Sequence, residues 1–262
     1  MKSFKMKALA VATLGLGGLV MAGSAFAACP TIPATSSSPG GGGAWTSQTV
    51  TAMAFGNASS GLNSTSCALQ ISVNNGAASN AKGFVTDASP QNESHYRARF
   101  YVNTAGLTNA TVANRQFRIF SALAVDAPSD IGAEMVSVSF IGGTTPSFRF
   151  FVGDTSIPGY KIASAAAPNT GGNYRIEFDL QQGNPGTFRY WVSDASAVTT
   201  DGTPTGTVSV TNPQASDGSG WSGVKQANLG LFITSPNFRA NVATQPLIVD
   251  EFDSRRQTFI GK

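Results

Sequence analysis

After Trp45 the chain alternates between polar and apolar residues with a period of two over much of its length. Residues 95–102 (HYRARFYV) put Tyr96, Ala98, Phe100 and Val102 on one side and Arg97, Arg99 and Tyr101 on the other. Residues 174–180 (YRIEFDL) turn Tyr174, Ile176, Phe178 and Leu180 inward, and Arg175, Glu177 and Asp179 outward. Val136, Val138 and Phe140 alternate with Ser137 and Ser139. Successive side chains of a strand point to opposite faces, so this pattern predicts half-buried strands. The same logic predicts strands over 67–73, 84–87, 117–124, 148–152, 188–193, 228–234 and 247–253. Turn clusters lie between them, among them Ile141-Gly142-Gly143, Gly183-Asn184-Pro185-Gly186 and Asp217-Gly218-Ser219-Gly220. No window keeps an i, i+3, i+4, i+7 pattern for three turns. Many short strands with turns between them predict an all-β sandwich or barrel. Phe-Arg doublets at Phe117-Arg118, Phe148-Arg149, Phe188-Arg189 and Phe238-Arg239 fit an inward Phe beside an outward Arg on successive strands.

The N-terminus reads differently. Lys2, Lys5 and Lys7 precede an apolar stretch over residues 8–21, and Ala25-Phe26-Ala27 supplies the small residues a signal peptidase reads. Residues 1–27 are therefore expected to be a cleaved signal peptide, since the stretch falls short of the roughly 20 residues that span a bilayer. No later segment is long and apolar enough to span. Residues 28–44, with the run TIPATSSSPGGGG inside them, form a flexible tether. Residues 45–262 make one domain, a length that suits a single sandwich. Fifteen of the chain's seventeen Phe lie in it and provide the apolar surface for its core.

The leader also changes the charge. Of 17 Lys and Arg, three lie in it, which leaves 14 against 14 Asp and Glu. Basic residues are not clustered beyond Arg255-Arg256, so the chain lacks the basic patch that nucleic acid needs. The two cysteines, Cys29 and Cys67, would be exported. A Cys29–Cys67 disulfide suits that compartment. The competing fate is lipidation of Cys29, but Phe26 stands where a lipoprotein signal prefers a branched aliphatic residue.

Three segments carry a resemblance. Residues 81–102 (AKGFVTDASPQNESHYRARFYV), Asn228-Leu229-Gly230-Leu231 and residues 249–261 (VDEFDSRRQTFIG) resemble the concanavalin A-like lectin/glucanase superfamily, in its laminin G-like bacterial branch of secreted proteins. The resemblance implies a jelly-roll sandwich of two antiparallel sheets, with one sheet's concave face or the edge loops available for ligands. Fold does not imply function.

Catalytic patterns are incomplete. β-Glucanases of that superfamily carry Glu-x-Asp-x-x-Glu on a strand, because retaining hydrolysis needs two carboxyl groups about 5–5.5 Å apart. Glu177-Phe178-Asp179 begins the pattern, but Gln182 stands at the second Glu, and Glu251-Phe252-Asp253 is followed by Ser254-Arg255-Arg256. His95 is the one histidine, and no Gly-x-Ser-x-Gly elbow exists to present a serine to it. One His and two Cys do not make a zinc site. Calcium would suit Asp250, Glu251 and Asp253, yet alternation puts Asp250 on the opposite face from the other two, and Arg255 and Arg256 favour ion pairs. No cofactor is therefore expected. Sugar binding needs an aromatic face beside polar groups. Trp221 with Asp217 in the loop DGSGWSG, and Tyr160 after Pro158-Gly159, are the candidate ligand residues.

The expectation is a non-catalytic binding or surface-interaction domain, secreted, cell-surface or periplasmic, that recognises neutral polysaccharide. The alternatives are a degenerate glycan-active enzyme of the β-glucanase type and a structural extracellular-matrix protein.

Overall fold

The computed structural model describes residues 45–58, 60–63, 65, 67–73, 80–88, 90, 93–107, 116–124, 134–154, 160–169, 172–197, 202–211, 223–234, 246–255 and 259–260. The expected signal peptide and tether lie outside them.

The described residues form fourteen strands and one 3₁₀ turn. The strands are β1 (Ser47–Thr51), β2 (Met53–Ala58), β3 (Ala68–Val73), β4 (Ala81–Asp87), β5 (His95–Asn103), β6 (Gln116–Leu123) and β7 (Glu134–Ile141). They continue as β8 (Ser147–Gly153), β9 (Tyr160–Ala166), β10 (Asn173–Gln181), β11 (Gly186–Asp194), β12 (Gly206–Val210), β13 (Gln226–Thr234) and β14 (Leu247–Arg255). Two seven-stranded antiparallel sheets result, with strand order β1-β4-β13-β6-β7-β8-β9 in the first and β12-β11-β10-β5-β14-β3-β2 in the second. This is the expected jelly-roll sandwich.

Ten of the strands lie where alternation predicts them. The other four, β1, β2, β9 and β12, are the four sheet edges.

The residues read as inward do meet in one core. Tyr96, Ala98, Phe100 and Val102 of β5 and Tyr174, Ile176, Phe178 and Leu180 of β10 are buried there with Val136, Val138 and Phe140 of β7. Aromatic rings stitch the sheets together. Phe120 of the first sheet stacks on Phe100 of the second at 5.5 Å between centroids and meets Phe178 edge-on at 5.2 Å. Phe150 stacks on Tyr190 at 4.5 Å. Such pairs add about 0.5–1.5 kcal/mol each beyond the area they bury. Phe117, Phe148 and Phe188 point inward as their doublets predict.

One lateral end of the sandwich is closed by polar groups. Lys161 of the edge strand β9 donates to the Ser209 carbonyl of the edge strand β12 at 2.8 Å and pairs with buried Asp154 at 2.8 Å. Asp154 also accepts the Thr211 amide at 3.0 Å. An inward-pointing charge on an edge strand discourages edge-to-edge aggregation.

Candidate functional site

The outer face of the second sheet is the more charged of the two. Alternation places Arg97, Arg99 and Tyr101 of β5 beside Arg175, Glu177 and Asp179 of β10, and both predicted outward sets do face away from the core. Though they face outward, all six side chains are buried. Glu177 Oε1 accepts from Arg97 Nε at 2.8 Å, and Oε2 accepts from Arg175 Nη2. Asp179 Oδ1 lies 2.6 Å from His95 Nε2, and Oδ2 accepts from Arg189 Nη2 at 2.5 Å. His95, the one histidine of the chain, is thus a partner of Asp179. Burial lowers the Arg175 pKa, and the adjacent Glu177 opposes that shift.

Two residues close this face. Phe259 packs against Trp191 at 5.6 Å between ring centroids, and the guanidiniums of Arg97 and Arg175 sit 4.8 and 5.4 Å from the Phe259 ring. The Ile260 amide donates to Glu177 Oε1 at 2.9 Å. Of the adjacent pair Tyr190 and Trp191, Tyr190 enters the core and Trp191 faces outward beneath Phe259.

The acidic run of β14 also departs from simple alternation. A β-bulge between Asp250 and Asp253 shifts the register, and Glu251 there has φ +45°. Asp250 is register partner of Tyr101 and Asp253 of Arg99, so the extra residue brings both aspartates to the outer face. Phe252 packs against the core instead. The carboxylates are engaged within the chain. Asp250 accepts the Leu62 amide at 2.8 Å and the Thr65 hydroxyl at 2.5 Å. Glu251 Oε2 accepts from Asn63 at 3.2 Å and lies 3.6 Å from Arg99. Asn63 also donates to the Tyr101 hydroxyl at 3.2 Å, and burial raises the pKa of that phenol. Among the described residues no three His, Cys, Asp or Glu side chains converge to hold a metal ion.

The outer face of the first sheet has different chemistry. Ser47, Thr86, Asn228, Ser121, Ser137, Phe151 and Ile162 are register partners in turn across all seven strands. Thr86 and Gln226 both donate to Asn228 Oδ1, at 2.8 and 2.9 Å. The buried Ser121 hydroxyl has no hydrogen-bond partner among the described residues. A second row runs Arg118, Ser139, Arg149 and Ser164. Gln116 bridges it, donating to Ser139 at 3.1 Å and accepting from Arg149 at 3.3 Å. Arg118 is tied to Glu134 at 2.6 Å.

The two rows emerge at the β8–β9 edge. Ile162 is 57% exposed, Ser164 is exposed, and Phe151 is half-buried with Tyr160 edge-on to it at 6.2 Å. Tyr160, the candidate after Pro158-Gly159, is the first residue of β9. Trp221 and Asp217 lie outside the described residues. Cys29 does as well, and no free cysteine is found among the described residues, Cys67 included. Sequence reasoning missed Phe151 and Ile162 as partners of Tyr160, because β9 reads as a small-residue run, YKIASAA, with weak alternation.

No protein-family profile and no curated protein matches the chain. Solved structures do. An endo-β-1,4-glucuronan lyase from the fungus Trichoderma reesei is 13% identical with a TM-score of 0.51, covering 80% of this chain and 90% of its own. A PL-14 alginate lyase from Aplysia kurodai is 8% identical with a TM-score of 0.51, covering 79% and 90%. A carbohydrate esterase from the Shiga toxin-encoding bacteriophage phi24B is 11% identical with a TM-score of 0.50, covering 80% and 90%. At these identities the likeness shows the jelly-roll fold.

Proposed function

We propose that this protein is an exported, non-catalytic polysaccharide-binding sandwich whose ligand lies along the β8–β9 edge of the first sheet. The carrying observation is the shelf of Tyr160, Phe151 and Ile162 with the exposed Ser164 hydroxyl on the same face of β9, whereas Ser121, Ser137, Ser139 and Asn228 farther into the sheet are buried. Apolar rings stack on sugar faces while a few convergent polar groups fix orientation. A neutral glycan fits best, because on this face Arg118 is paired with the Glu134 carboxylate and Arg149 donates to the Gln116 side chain. Trp221 and Asp217, which lie outside the described residues, belong to the proposal as the aromatic and acidic residues of DGSGWSG that suit stacking on and hydrogen-bonding a glycan. The three fold relatives named above are carbohydrate-active, which agrees with a glycan ligand. We expect Tyr160→Ala and Trp221→Ala each to weaken retention in affinity electrophoresis through neutral β-glucans at least tenfold, with the melting temperature within a few degrees of wild type. Absence of retention by the wild type, or a collapse of stability in place of lost binding, overturns the assignment.

The same three relatives being enzymes favours a second reading, a glycan-active enzyme. Against it, the described first-sheet rows hold no histidine and no pair of carboxylates. Release of new reducing ends by the wild type decides for the enzyme.

Export and a Cys29–Cys67 disulfide complete the proposal, with the mature chain starting at Ala28, no lipid on Cys29, and a secreted, cell-surface or periplasmic location. The bond closes a loop of about 38 residues and, in the chain-entropy model, stabilises the fold by roughly 4 kcal/mol. Thiol titration of the denatured, unreduced mature protein should find no free thiol; two would end the idea.

A further inference from the structure

The contacts of Phe259 and Ile260 have the form of a bound ligand. One aromatic ring is held between the Trp191 indole and two guanidiniums, Arg97 and Arg175. The next residue's amide donates to Glu177 Oε1 at 2.9 Å. Arg97 is itself 4.6 Å over the Trp191 ring, so indole, guanidinium and Phe259 form one layer. The surface thus selects an aromatic side chain by stacking and cation–π attraction, and a backbone N–H by a charged acceptor. The groups that occupy it here are an aromatic side chain and the backbone amide that follows it, the elements of a peptide.

We propose that the outer face of the second sheet is a peptide-docking surface, and that the chain's own C-terminal segment is its occupant, read as an aromatic residue followed by a backbone amide donor. Three residues separate the last residue of β14, Arg255, from Phe259. So short a tether gives the segment a high effective concentration, which in the wild type outcompetes the same peptide added in trans. The docking surface and the proposed glycan shelf lie on opposite outer faces of the sandwich, so this inference does not depend on the glycan assignment.

The test uses the full-length chain. Phe259→Ala should vacate the surface, and a fluorescent peptide of residues 254–262 (SRRQTFIGK) should then bind it at least tenfold more tightly than it binds wild type, whose surface is occupied. The same peptide with Phe259→Ala should not bind. Trypsin should clip the segment after Arg255 or Arg256 several-fold faster in the variant. Equal peptide binding by both proteins, or binding by neither, together with equal clipping rates, overturns the proposal. If Phe259→Ala loses its β-sheet circular dichroism, Ile260→Pro replaces it. That change removes the amide donor aimed at Glu177 and restricts the Phe259 backbone, and the same outcomes apply.

Discussion

Glu177→Ala is expected to cost about 3–5 kcal/mol of stability, the usual penalty for removing one partner of a buried ion pair. Glu177 and Arg175 are both 0% exposed, and Arg97 is 2% exposed. One carboxylate accepts from both guanidiniums and from the Ile260 amide. The substitution leaves two guanidiniums in a site closed by Phe259 and Trp191, where an uncompensated charge is expensive. For a domain of this size the loss corresponds to a fall in melting temperature on the order of 10 °C. Replacing the trio together, by Arg97→Met, Arg175→Met and Glu177→Leu, should recover much of the loss, because well-packed apolar groups often substitute for a buried ion pair without penalty. Urea unfolding of the two proteins measures both effects. A loss below about 1 kcal/mol for Glu177→Ala would mean that the network is loosely held or hydrated. The same residue opens the incomplete glucanase pattern. A catalytic Glu177 would instead lose activity in Glu177→Gln with folding intact.

The core was legible in the sequence because burial of one strand face writes a period of two into it. Every inward residue read from β5 and β10 is in the core. What stayed hidden follows three physical lines. First, β1, β2, β9 and β12 are edges, each hydrogen-bonded on one side only, so their sequences carry weaker alternation. β9 shows this best, with Ala163 and Ala165 inward and Ile162 exposed. Second, periodicity reports which face a residue occupies and not what covers that face. Arg97, Arg175 and Glu177 were placed on the correct side, but their burial depends on Phe259 and Ile260, distant in sequence from both β5 and β10. Third, parity counts fail at a bulge. Asp250 and Asp253 share a face only because the extra residue at Glu251 resets the register. The candidate site was legible only as residue types. Tyr160 was visible as an aromatic near a turn, whereas its partners Phe151 and Ile162 needed the pairing of β7, β8 and β9.

Gly230→Ala should be the other change with a large effect, and it concerns the phrase Asn228-Leu229-Gly230-Leu231 that carried the fold resemblance. β13 lies inside the first sheet between β4 and β6, with Leu229 and Leu231 in the core. Gly230 has φ +145°, a backbone conformation that essentially only glycine adopts. A Cβ built there would stand 2.6 Å from Phe84 Cα and 2.9 Å from Phe84 Cβ, and would also run into the Gly83 carbonyl. Two of those three atoms are backbone, so no rotamer change relieves the overlap. Backbone strain of order 1–3 kcal/mol and overpacking of about 1–3 kcal/mol combine to a loss of roughly 4 kcal/mol. The obstruction falls at the register pair Gly230–Phe84, and Phe84 stacks on Phe232 at 4.8 Å. The β4–β13 ladder must therefore open before the methyl fits. Hydrogen exchange of the β4 and β13 amides should accelerate far more than that of β5 and β10 in the second sheet, and the urea midpoint should fall. Unchanged exchange in β4 with a wild-type midpoint would show that the strand can shift to accept a side chain, and would refute the assignment of Gly230 as a position reserved for glycine by close backbone approach.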